Sequence, residues 1–152
     1  MKNERQITPI ISDKPYPIPI EMRPLWRISL IIISIERVSN EKKYLDSKKL
    51  NILIWMLIRK NRWPEYEDYL KDRTLDIPLI SVDTATYKAI EICVAKALVT
   101  LSDGRVHITD AGQDIYRTIL ESAVMQEEID FLDNFGKKLT DAKVKSLTGG
   151  LI

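Results

Sequence analysis

The sequence predicts a mainly α-helical fold with one short β-hairpin. Three observations lead there. Apolar residues recur at helical spacing through several segments after residue 23. Two short β-prone runs, Leu98-Val-Thr-Leu101 and Val106-His-Ile108, flank Ser102-Asp103-Gly104. Asp-Gly between such runs is strong hairpin chemistry, because glycine tolerates positive φ. Residues able to cap a helix precede periodic segments on both sides of that hairpin.

The stretch from Ile80 to Leu120 organises the chain. Asp83 or Thr84 starts a helix, its side-chain oxygen accepting from the orphan N–H groups of the first turn. Tyr87, Ile90, Cys93, Ala97 and Leu98 then form its apolar side. After the hairpin, Thr109-Asp110 caps a second helix, with Ile115, Ile119 and Leu120 facing inward. Helix, two-stranded wing, closing helix is the order of a winged-helix domain. Ile108-Thr-Asp-Ala-Gly112 resembles the Leu-Thr-x-x-Gly signature that follows the wing in many winged-helix proteins. This fold serves both DNA readers and protein adaptors, so it leaves function open.

Three parts follow: an extended proline-rich arm over residues 1–23, a winged-helix domain over 24–121, and a C-terminal helical extension over 122–152. The arm holds Pro9, Pro15, Pro17 and Pro19, which disfavour a regular helix or central strand. Ile10, Ile11, Tyr16, Ile18 and Ile20 are nevertheless too apolar for a solvated linker. The arm therefore reads as laid on a surface, of its own domain, a second copy or a partner.

Pro24 to Ser39 is the first helix, with proline in its first turn. Leu25, Ile28, Ile32 and Ile35 make one stripe, and Leu30, Ile31 and Ile33 widen it around most of the circumference. A helix apolar nearly all round needs cover on several sides. Leu30, Ile31 and Ile33, with Ile18 and Ile20 of the arm, are thus the candidate partner interface. Ser47 is placed to cap a helix from Lys48 to Lys60, and Trp63-Pro64-Glu65 opens another to Lys71. Leu75 to Ile80 is a link able to supply the short first strand that many winged helices add to the wing. After Leu120, Val124, Ile129, Phe131, Leu132 and Phe135 mark a helix ending at Gly136 as a left-handed C-cap. Thr140 caps a last short helix, Asp141 to Leu147.

A chain of 152 residues with 45% hydrophobic content can build a core. The formal net charge of +1 gives no global attraction to nucleic acid. The single cysteine, Cys93, lies on an apolar helix and reads as a buried structural thiol. It excludes an intrachain disulfide framework. The greasiest run, Ile28 to Ile35, is far short of the roughly 20 residues that span a bilayer. No secretion signal is visible. The expectation is a soluble cytoplasmic protein that makes no membrane contact.

Catalytic constellations are not evident. The only histidine, His107, alternates with Val106 and Ile108 and so points outward from the wing. One His and one Cys cannot form the usual nitrogen–sulfur metal cluster. There is no phosphate-cradling or dinucleotide glycine loop. Glu127, Glu128, Asp130 and Asp133 spread over more than one helix face. No catalytic, cofactor-binding or metal-ligating residue is assigned, and no enzyme activity is expected. Candidate nucleic-acid contacts are Lys42, Lys43, Lys48, Lys88 and Arg105. They form a thin set. The helix before the wing offers Thr84, Thr86, Lys88, Glu91 and Lys96 but no arginine, and Asp83 and Glu91 repel phosphates.

Several segments together resemble the small middle component of bacterial three-component ABC systems of the Lamassu-like anti-phage group. They are Arg23-Pro-Leu-Trp-Arg-Ile-Ser-Leu30, Leu50-Asn-Ile-Leu-Ile-Trp55, Thr84-Ala-Thr-Tyr-Lys-Ala-Ile90 leading to Ala97-Leu-Val99, and Ile108-Thr-Asp-Ala-Gly112. Phe131-Leu-Asp-Asn-Phe-Gly136 before Lys138-Leu-Thr140 is a later echo. The resemblance implies a non-enzymatic adaptor, similar in role to the winged-helix accessory subunits of SMC complexes. Its partners would be an SMC-like ABC ATPase and an effector such as a nuclease. A different class also fits: a winged-helix transcriptional regulator binding DNA as a dimer. The poor basic content of the helix before the wing favours the adaptor.

Overall fold

A computed structural model describes residues 24–149 apart from Val82. The proline-rich arm, including Ile18 and Ile20, lies outside the described residues. Among the described residues, seven α-helices and a three-stranded antiparallel sheet follow one another. Helix α1 spans Pro24–Val38, strand β1 Tyr44–Asp46, helix α2 Ser47–Ile58 and helix α3 Trp63–Leu70. Then come α4 (Thr84–Ala95), β2 (Val99–Ser102), β3 (Arg105–Ile108) and α5 (Asp110–Ser122). Helices α6 (Gln126–Phe135) and α7 (Asp141–Thr148) close the order.

Helix α1 is the centre of the core. It packs against α2, α4, α5, α6 and the sheet. Leu30, Ile31, Ile32, Ile33 and Ile35 are all 0% exposed. This corrects the expectation that Leu30, Ile31 and Ile33 form an interface. An all-round apolar helix needs cover on every side, and here α2, α4, α5 and α6 supply it from within the chain. Those three side chains have no surface left to offer a partner.

Local chemistry sets the helix ends. Asp46, not Ser47, caps α2, its Oδ1 accepting from the Lys48 N–H at 2.9 Å. At the other end Trp63 Nε1 donates to the Met56 carbonyl at 2.8 Å, and Arg59 Nη1 donates to the Trp55 carbonyl at 3.1 Å. These bonds satisfy acceptors that a helix C-terminus leaves open, so α2 stops at Ile58 and does not reach Lys60. Asp83 caps α4 through Ala85, and Thr109 caps α5 through Gly112. Gly136 is right-handed at φ −55 and opens a 3₁₀ turn, against the left-handed cap expected there. Its lack of a side chain serves packing: a Cβ would sit 2.5 Å from Val38 Cγ2 on α1.

The sheet order is β1-β3-β2. Val99 pairs with Ile108, Leu101 with Val106 and Ser102 with Arg105 around the Asp103-Gly104 turn. Both turn residues have positive φ, 54° and 74°, the geometry that keeps the twist of a tight hairpin. The third strand comes from Tyr44–Asp46, with Leu45 opposite Val106. The segment Leu75 to Ile80 forms no strand, contrary to expectation. The free edge of β3 is already occupied by β1, and Pro78 has no N–H to donate to a ladder.

Candidate functional site: an apolar ridge and a basic cleft

Two surfaces stand out, and neither contains Leu30, Ile31 or Ile33. The first is the connection between α3 and α4. From Ile77 to Ser81 its residues alternate exposed and buried. Pro78 and Ile80 turn into the protein, while Ile77 and Leu79 turn out at 57% and 80% exposure. Leu75 just before them is 100% exposed. Among the described residues, no backbone hydrogen bond ties Leu75 to Ser81 to another backbone group. Three large aliphatic side chains thus stand on a segment outside the sheet, where the Asp76 N–H donates to Thr74 Oγ1 at 3.1 Å. Such a ridge suits a partner surface.

The ridge runs into α4, anchored by the cap residue Asp83. The exposed side of α4 carries Thr84, Ala85, Tyr87, Lys88, Glu91 and Val94. Tyr87 was expected to face inward and is exposed instead; Ile90 and Cys93 hold the buried face. Thr86, proposed from sequence as a groove contact, is 0% exposed. Its hydroxyl donates to Asp83 Oδ2 and accepts from Arg27. The outward face of α4 therefore offers Lys88 against Glu91, with Lys96 exposed at its C-cap. That is a weakly charged, partly apolar face without arginine, poorly matched to a phosphate backbone. On α5, Ile115 and Leu120 are likewise exposed where burial was expected, and Ile119 alone of the three is buried.

The second surface is a cleft of about 580 Å³ between the start of α2, the sheet and α7. Of the five cations proposed from sequence as nucleic-acid contacts, three line it: Lys42, Lys48 and Arg105. Lys49 and Lys145 line it as well. Sequence reasoning missed Lys145 as a contact, because it reaches the others only through the packing of α7 on α2. Lys43 is turned away to an ion pair with Glu36 at 3.7 Å. Lys88 sits on α4 and takes no part in the cleft. Burial lowers the Lys49 ammonium below the ordinary lysine range; Asp141 and Asp46 work against that shift and Lys42 with it.

The β2–β3 hairpin holds no reactive arrangement among the described residues. His107 is half-buried, its ring 5.0 Å from that of Tyr44, and the Arg105 guanidinium lies 4.9 Å over the same tyrosine. Cys93 is fully buried, which pushes its thiol up to about 11 and keeps it protonated at neutral pH. No group of three His, Cys, Asp or Glu side chains converges among the described residues. No helix among the described residues is long and apolar enough to cross a membrane.

Comparison with protein-family models, with curated proteins and with solved structures finds no match to this chain.

Proposed function

We propose that this chain is a non-enzymatic winged-helix adaptor that joins an SMC-like ABC ATPase to an effector, such as a nuclease, in a cytoplasmic anti-phage assembly. The order α1-β1-α2-α3-α4-β2-β3, with β3 central in the sheet, supports the winged-helix reading, α3 being one short helix more than that fold needs. The resemblance in Arg23 to Leu30, Leu50 to Trp55, Thr84 to Ile90 and Ile108 to Gly112 supports the choice of partners.

The observation that carries the adaptor reading is the ridge of Leu75, Ile77 and Leu79 beside the weakly charged face of α4. In a winged-helix DNA reader the corresponding helix would meet the major groove with donors and cations. Here that region presents aliphatic groups, whose burial against a protein would contribute roughly 1.5–3 kcal/mol each. The arm with Ile18 and Ile20, or a second copy of the chain, would extend the same contact.

The test is the triple change Leu75→Ser, Ile77→Ser and Leu79→Ser, expressed with the neighbouring genes of the native operon. The expected result is an unchanged melting temperature and loss of copurification with the ATPase. A folded triple variant that still copurifies in full would remove the ridge from the interface. Nanomolar, sequence-selective duplex binding by the isolated chain at physiological salt would favour the dimeric regulator instead.

A further inference from the structure

We propose that the cleft between the start of α2, the wing and α7 is a phosphate-binding site. The inference is independent of the adaptor reading and rests on which charges the fold leaves unpaired. Lys42, Lys48, Lys49, Arg105 and Lys145 all line the cleft. None of them makes an ion pair with a described residue. Elsewhere, cations with carboxylates in reach are paired: Arg27 with Asp83, Arg37 with Asp133, Lys60 with Glu127 and Glu128, Lys143 with Asp72.

Two carboxylates also line the cleft, Asp46 and Asp141. Both have another task. Asp46 Oδ1 accepts the capping bond from the Lys48 N–H. Asp141 sits in the first turn of α7, where a negative charge complements the helix dipole. Five cations against two occupied carboxylates leave a local excess of +3, on a chain whose net charge is only +1. Lys42, Lys48, Arg105 and Lys145 are exposed and Lys49 is half-buried; bringing them around one cleft concentrates a positive potential that attracts an anion.

Ser39 supplies the second, independent observation. It lines the same cleft, is 6% exposed, and its Oγ has no hydrogen-bond partner. A buried hydroxyl without a partner costs about 1–3 kcal/mol, and an acceptor oxygen of a bound ligand would satisfy it. The residues come from the turn after α1, the start of α2, β3 and α7, so they surround the space on several sides. A carboxylate brings one charge. A phosphate brings about two charges and three acceptor oxygens, which matches five cations and a hydroxyl better. Tyr44 is the aromatic side chain among the described residues lining the cleft, and its ring already packs with the Arg105 guanidinium 4.9 Å from its centroid and with the tilted His107 ring at 5.0 Å. Recognition is therefore of the phosphate itself, from a polyphosphate or nucleotide or from a nucleic-acid backbone.

The experiment is calorimetric titration of the full chain with inorganic tripolyphosphate at low salt, repeated with ATP and with a short DNA duplex. One saturable site for tripolyphosphate is expected. Lys49→Gln should weaken it at least tenfold, and Ser39→Ala several-fold with no change of charge. Lys88→Gln, which removes the same charge outside the cleft, should leave it unchanged. If the duplex competes with tripolyphosphate and Lys49→Gln weakens both, the phosphate is that of a nucleic-acid backbone; if ATP alone competes, it is a free phosphate ligand. Thermal melts establish that each variant is folded, and Lys145→Gln replaces Lys49→Gln should the latter unfold. Absence of saturable binding by all three probes, or equal weakening by Lys88→Gln and Lys49→Gln, would overturn the proposal.

Discussion

Arg27 on α1 and Asp83 at the start of α4 are joined by a buried ion pair, Nη1 to Oδ2, at 2.7 Å. The two side chains are 7% and 14% exposed. Thr86 closes the triangle, donating to Asp83 at 2.9 Å and accepting from Arg27 at 3.0 Å. Asp83 also caps α4. One carboxylate thus fixes both the start of α4 and its position against the central helix, and the ridge of Leu75 to Leu79 hangs from that anchor.

Removing the carboxylate should therefore be costly. Asp83→Ala leaves the Arg27 guanidinium buried without its counter-charge and uncaps α4. The expected loss is about 3–5 kcal/mol from the orphaned charge, with about 1 kcal/mol more from the cap. Asp83→Asn keeps a capping oxygen and should lose less. Combining Asp83→Asn with Arg27→Met should recover part of the loss, since no charge is then stranded. Urea denaturation of the parent, these three variants and Arg27→Met alone measures all of this; additive losses in the double variant would show that the pair is not coupled.

Gly112 is placed where no side chain fits. A Cβ there would lie 2.3 Å from the Leu98 carbonyl oxygen and 2.7 Å from Ile108 Cγ1. The first obstacle is backbone and cannot rotate away. Gly112→Ala should cost about 1–3 kcal/mol through overpacking and loosen α5 from the wing. A melting temperature within a degree of the parent would contradict the close approach.

Ile31 and Ile33 now carry a different expectation from the interface one. Both are 0% exposed. Ile31→Ala should cost about 2–5 kcal/mol in stability, and any loss of association should track the unfolded fraction. Size-exclusion and thermal melts on the same sample separate the two effects. A fully folded Ile31→Ala protein with weakened association would return this residue to the interface.

The local elements were legible in the sequence because their causes are local. Asp103-Gly104 makes a tight turn wherever it occurs between short β-prone runs, and the wing pairs around it in the structure. Asp83 and Thr109 cap the helices that follow them, since a cap needs only its own next turn. All seven helices among the described residues were likewise read from caps, breakers and apolar periodicity, with boundaries shifted by a few residues.

Tertiary structure alone decided which apolar faces are covered and which charges meet. Periodicity marks Leu30, Ile31 and Ile33 as apolar, but whether they face a partner or the core depends on how many helices surround α1. The same blindness hid the ridge. Leu75 to Ile80 reads in sequence as a link able to supply a strand to the hairpin, yet β1 takes that sheet edge, and Leu75, Ile77 and Leu79 stand exposed. The cleft is the clearest case. Lys42, Lys48 and Arg105 are separated along the chain by up to 63 positions, and Lys145 belongs to another helix altogether. Burial and charge convergence are properties of the packed chain, because they depend on contacts between residues distant in sequence, and no local pattern encodes them.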